Sequence, residues 1–181
     1  MKKLADSKIS TKKLALAGVL IAVAVVGSTF SFPIAGSKCA PVQHFVNVVG
    51  AVFLGPVLNV LVAFIASLIR NLAGLGSPLA FPGSMVGALL SALVFKYSKK
   101  LLPTLVGEVF GTGVLGGMLS YPIAIWFMGK TAAQIGVFTF VVPFLVSTIG
   151  GSIIAGITLF ALKNTGAVNF NNINDKNYRQ I

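Results

Sequence analysis

Acidic side chains are nearly missing from this chain: three Asp and Glu stand among 181 residues, beside one His, one Cys and one Trp. Each shortage removes a class of chemistry. With His44 and Cys39 alone of their kinds, no metal site of spaced His and Cys ligands can form, and Cys39 has no partner for an internal disulfide. No nucleophile has an evident base and orienting acid. The nearest approach to a phosphate loop, AIWFMGKT at Ala124 to Thr131, is bulky and aromatic, where a working loop needs a glycine-rich turn and an acid for the metal. No cofactor, no metal and no enzyme activity are therefore expected, and the chain has no means of its own to use ATP. Charge is scarce as well. Only 9% of residues are charged and 56% are hydrophobic, with a mean hydropathy of +0.94, which excludes a soluble globular domain.

What the chain does have is a series of apolar runs flanked by Lys and Arg, the pattern of an integral membrane protein. The net charge of +11 comes from those flanks, not from a basic face of the kind that binds nucleic acid. The basic start and the run from Leu14 to Phe32 imitate a signal peptide, but the later runs mark a multi-pass protein. Six helices are expected: Lys13 to Phe32, Val42 to Leu54, Val57 to Leu72, Phe81 to Tyr97, Thr104 to Met128 and Val137 to Leu162. The second is short for a span, and charge decides whether to count it. With six spans and both termini cytoplasmic, Lys38, Arg70 and Lys130 face outward and the other eleven of the fourteen Lys and Arg face inward. Fusing the second and third helices would give seven on each side and discard the positive-inside bias. The expected fold is thus an all-α membrane protein, a compact bundle of six transmembrane helices. Residues 1–12 are read as a cytoplasmic segment, 13–162 as the bundle and 163–181 as a polar cytoplasmic tail with little to bury.

The chain from Arg70 to Ser84, RNLAGLGSPLAFPGS, is the most polar and broken stretch between two apolar runs. Interrupted backbone near membrane depth survives only where protein or a watery pocket satisfies it. Polar and aromatic residues converge on that face: Gln43, His44 and Asn47, then Arg70, Asn71, Ser77, Phe81 and Ser84, then Tyr121, Trp126 and Gln134. Aromatic surfaces with a few hydrogen-bonding groups describe a pocket for a small, flat, modestly polar ligand. Glu108 is the one acid inside an apolar run; it is expected about one turn inside the cytoplasmic end of its helix, as an ion pair with Lys99 or Lys100 or as a ligand or coupling group. Helix one carries small residues at Ala15, Gly18 and Ala22, which serve either internal packing or a separate membrane partner.

Six short helices, a small-residue first helix, a polar third-to-fourth connection and no energy-coupling motif resemble a substrate-capture (S) component of an energy-coupling factor (ECF) transporter. The run RNLAGLGSPLAFPGSMVGALLSALVFKYSKK, followed by GEVFGTGVLGG, resembles more narrowly the ThiW family. That resemblance implies capture of hydroxyethylthiazole, the thiazole precursor of thiamine, at the outer face, with release driven by an ECF transmembrane coupling subunit and two ATPase subunits. It also implies that helix one contacts the coupling subunit through an Ala-xxx-Ala motif, here replaced by Gly18 and Ala22. In this reading Phe81, Tyr121 or Trp126 stacks on the ring, Asn47, Asn71 or Ser84 meets the hydroxyl, and Arg70 orients its loop without neutralising the ligand. The alternatives are a solitary proton-coupled transporter of a small heterocycle and a small membrane enzyme using His44.

Overall fold

The computed structural model describes residues 10–34, 37–170 and 173. Among them are helices α1 (Thr11–Gly27, prolonged by a 3-10 turn to Phe30), α2 (Pro41–Phe53), α3 (Pro56–Leu72), α4 (Ala80–Ser98), α5 (Leu101–Glu108), α6 (Gly117–Met128) and α7 (Val141–Asn164). A π-helical segment, Val109–Gly116, joins α5 to α6, so Leu101–Met128 is one rod and the bundle has six. Four rods are long and apolar enough to cross a membrane. At 1.5 Å per residue the 17-residue α3 spans about 26 Å and the 13-residue α2 about 20 Å, short of a hydrocarbon core about 30 Å thick.

The short helix is central. On one side Val46 and Leu54 pack with Ala17, Leu20 and Ala24 of α1 and Val62 and Ala66 of α3. On the other, Val48 and Val52 pack with Phe95, Ala155 and Leu159 of α4 and α7. Asn59 of α3 ties three helices together, its amide donating to the backbone oxygens of Asn47 in α2 and Ala88 in α4, both at 2.9 Å. Small residues bring α4 and the π segment into backbone contact. A Cβ on Gly116 would lie 2.6 Å from the Gly83 Cα, and one on Gly111 3.0 Å from the Gly87 Cα. Close approach of this kind supplies packing where lipid offers no hydrophobic drive.

Leu54, Gly55 and Pro56 turn the chain from α2 into α3. Gly55 adopts φ 85° and ψ 173°, a region essentially reserved for glycine, and Pro56 starts α3 where its missing N–H has no helical partner to serve. Gly55→Ala is expected to destabilise the bundle by about 1–3 kcal/mol, measured by thermal unfolding in detergent; an unchanged transition would show that the turn tolerates a side chain.

Three features depart from the sequence expectations. A two-stranded antiparallel hairpin, β1 (Phe32–Ile34) with β2 (Ser37–Cys39), fills the first connection, pairing Phe32 with Cys39 and Ile34 with Ser37. The α5 rod starts at Leu101 rather than Thr104, because Pro103 sits in the first turn, where proline is tolerated. The tail is not free throughout: Phe170 is buried and meets Phe95 edge-on at 5.8 Å. Residues 1–9 and 174–181, which carry five of the basic side chains used in the orientation argument, lie outside the described residues.

Candidate functional site

Because α2 is short, its first turn lies below the hairpin, and a pocket opens there. Its cavity volume, counted as space for water-sized centres, is about 40 Å³, room for a few water molecules, so the pocket is narrow. Its walls come from Ser37 and Lys38 of the hairpin, Ala40, Gln43 and His44 of α2, Arg70 at the end of α3, and the α3–α4 loop with Gly76 and Ser77. Leu79 just before α4, Ala80, Gly83 and Ser84 of α4, Thr112 of the π segment, and Phe144 and Ser147 of α7 complete it. The loop ends are tied down: the Ala40 N–H donates to Ser147 Oγ at 2.9 Å, the Cys39 thiol to the Pro143 carbonyl at 3.2 Å, and Lys38 Nζ to the Gly74 carbonyl at 3.0 Å.

Beneath the pocket runs a buried polar network. Glu108, fully buried, has one carboxylate oxygen, Oε1, facing Asn47 Nδ2 at 3.0 Å, Thr112 Oγ1 at 2.9 Å and His44 Nδ1 at 3.1 Å. Thr112 lies four residues after Glu108 on the same side of the rod, and Gly87 of α4 has no side chain where the carboxylate and the Thr112 hydroxyl sit. The second amide proton of Asn47 goes to the Ser84 carbonyl at 3.1 Å, and its Oδ1 accepts from Gln43 Nε2 at 3.2 Å. Gln43 Oε1 in turn accepts from Arg70 Nη1 at 3.0 Å. Donors thus point one way, from the Arg70 guanidinium through two side-chain amides to the Glu108 carboxylate. Such chains polarise one another in a low-dielectric interior.

Of the residues singled out from sequence, Gln43, His44, Arg70, Ser77 and Ser84 line the pocket, and Asn47 lies in the network beneath it. Asn71 turns back, donating to the Ser67 carbonyl at 2.8 Å. Phe81 packs on Phe64 with ring centroids 5.6 Å apart, Tyr121 is half-buried on α6, and Trp126 is 74% exposed; none of the three lines the pocket, whose aromatic wall is Phe144. Gln134 is exposed and accepts from the Thr131 N–H within its own loop. Glu108 pairs with His44 rather than Lys99 or Lys100, because the earlier start of α5 carries it two turns into the bundle. Lys38, Thr112, Phe144 and Ser147 were not anticipated, although the Glu–Thr spacing of four residues is a same-face signal. Ala15, Gly18 and Ala22 all lie on the exposed side of α1, and a Cβ on Gly18 would meet nothing within 4 Å. Among the described residues no group of three or more His, Cys, Asp or Glu could hold a metal ion.

Comparison with known proteins follows the same lines. No curated protein matches the sequence. A solved structure described as "Structure and mechanism of the S component of a bacterial ECF transporter" shares 20% identity and superposes with a TM-score of 0.70, covering 87% of this chain and 98% of that one. The bundle therefore has the S-component fold. The family model described as "Thiamine-precursor transporter protein (ThiW)" matches residues 14–165, from the start of α1 to the end of α7. The chain belongs to the ThiW family of thiamine-precursor transporters, multi-pass proteins of the prokaryotic plasma membrane and not enzymes.

Proposed function

We propose that this chain is the substrate-capture subunit of an ECF-type importer and that it binds hydroxyethylthiazole or a closely related thiamine precursor in the pocket above α2. The observation that carries the reading is the pocket itself: a small, polar-lined cleft at one end of an S-component fold, with an aromatic wall and a hydrogen-bonded floor. Charge counting assigns that end to the outside and both termini to the cytoplasm. Release inward falls to a separate module, an ECF transmembrane coupling subunit with two ATPase subunits. The outward side of α1 is the surface offered for that module, with Ala15, Gly18 and Ala22 permitting close helix approach.

The test is ligand binding by the purified chain alone, read as a rise in melting temperature that grows with ligand concentration, with transport appearing only when the coupling module is added. Gly18→Leu or Ala22→Leu is expected to leave ligand affinity within about threefold while abolishing co-purification of the coupling subunit; equal loss of both would assign these residues to the bundle's own packing. The buried His44–Glu108 pair is the one observation that favours a solitary proton-coupled carrier. Accumulation in liposomes by the chain alone, driven by a proton gradient and abolished by Glu108→Gln, would establish that alternative.

A further inference from the structure

We propose that the pocket contains an oxyanion subsite centred on Arg70, so that the captured heterocycle carries a phosphate or carboxylate group. The inference rests on the capture reading and sharpens its substrate class from neutral to anionic. Arg70 is only 3% exposed, yet the structure gives its guanidinium one hydrogen bond, Nη1 to Gln43 Oε1, and leaves buried Nε without a partner. A guanidinium has five N–H donors in a fixed fork, shaped for bidentate contact with carboxylate or phosphate. Burying such a charge without a counter-ion is costly.

Among the described residues no counter-ion is supplied. Glu108 is the one described carboxylate, and its bonded oxygen is already shared by His44, Asn47 and Thr112, with two side-chain amides between it and Arg70. Nor is the guanidinium needed to hold the loop. The Arg70 backbone carbonyl does that, accepting from the N–H groups of Leu75 at 2.8 Å and Gly76 at 3.0 Å.

The surroundings reinforce the positive end. Lys38 lines the same pocket and spends one of its ammonium protons on Gly74, Ser77 adds a hydroxyl, and the N-terminal turns of α2, α4 and α7 contribute partial positive charge to the lining. The geometry places an oxyanion between Arg70 and Lys38 and leaves the Phe144 side of the pocket for the ring.

Three probes decide the matter on the detergent-purified full chain: hydroxyethylthiazole, its phosphate monoester and inorganic phosphate. The monoester is expected to bind at least about tenfold more tightly than the alcohol. Arg70→Gln removes that preference, weakening binding of the ester by at least about tenfold more than binding of the alcohol. Inorganic phosphate raises the melting temperature of the wild type and not of Arg70→Gln. Should Arg70→Gln fail to fold, Arg70→Lys keeps the charge but loses the fork; its expected signature is weakened ester binding with an unchanged melting temperature in the absence of ligand. Equal affinity for alcohol and ester in the wild type, or an ester preference that survives Arg70→Gln and Arg70→Lys, overturns the subsite and leaves thiazole capture standing. Arg70-dependent stabilisation by phosphate with no binding of either thiazole supports the subsite and removes the thiazole reading instead.

Discussion

Glu108→Leu is expected to destabilise the protein by about 3 kcal/mol or more and to abolish ligand binding, because it takes away the oxygen shared by the buried polar groups of His44, Asn47 and Thr112, each worth about 1–3 kcal/mol when left unsatisfied. The loss does not stop at His44. The Glu108 carboxylate also receives Asn47, whose second amide proton holds α4 through Ser84, and Thr112, whose hydroxyl has only the Gly83 carbonyl at 3.2 Å as a substitute. One side chain therefore joins α2, α4 and the α5 rod directly beneath the pocket. Glu108→Gln keeps an acceptor oxygen and should cost less, about 1–3 kcal/mol, with ligand binding weakened rather than lost. Denaturant or thermal unfolding in detergent, paired with ligand titration, reads both. A Glu108→Leu cost below about 1 kcal/mol would mean that the pair is no keystone of the bundle.

The second large effect is a single methyl group. A Cβ on Gly151 of α7 would overlap the Pro41 carbonyl oxygen and sit 2.7 Å from the His44 Cβ and 3.0 Å from the Phe45 nitrogen, so α2 and α7 would have to separate. Helix propensity favours alanine by about 1 kcal/mol, but overpacking against backbone costs about 1–3 kcal/mol or more, and here nothing flexible can yield. Gly151→Ala is expected to lose about 2 kcal/mol or more, and ligand affinity with it, since the displaced segment carries His44 into the pocket wall. Its neighbour is the control. A Cβ on Gly150 would find Pro41 at 3.8 Å, ordinary contact, so Gly150→Ala should be neutral or stabilising by up to about 1 kcal/mol. Equal melting temperatures for the two variants would refute the crossing geometry.

The six rods were legible in the sequence because hydropathy and flanking charge are summed over many residues, so their ends lie within about four residues of the expected ones. Arg70, His44 and Gln43 could be placed near one face because each is a costly group in an apolar setting with few places to go. The aromatic wall could not. Phe81, Tyr121 and Trp126 were placed by their position along the chain, but whether a ring turns toward the pocket or the lipid depends on helix rotation, which hydropathy does not register in a bundle that is apolar all round. Packing leaves Trp126 exposed and turns Phe144, which was not among the aromatic candidates, into the pocket. The partner of Glu108 was hidden for a related reason: His44 lies 64 residues away, and only the crossing of α2 with the α5 rod brings the two within 3.1 Å.

The brevity of α2 has a consequence for the journey of the cargo. A rod about 20 Å long is shorter by roughly a third than an apolar layer about 30 Å deep, and the hairpin and the pocket stand at the end where it begins. Under the proposed capture role, a molecule resting on His44 would already sit a helical turn or more inside the bundle, and the proposed coupling module would have to reopen the floor beneath it instead of carrying it through a whole bilayer.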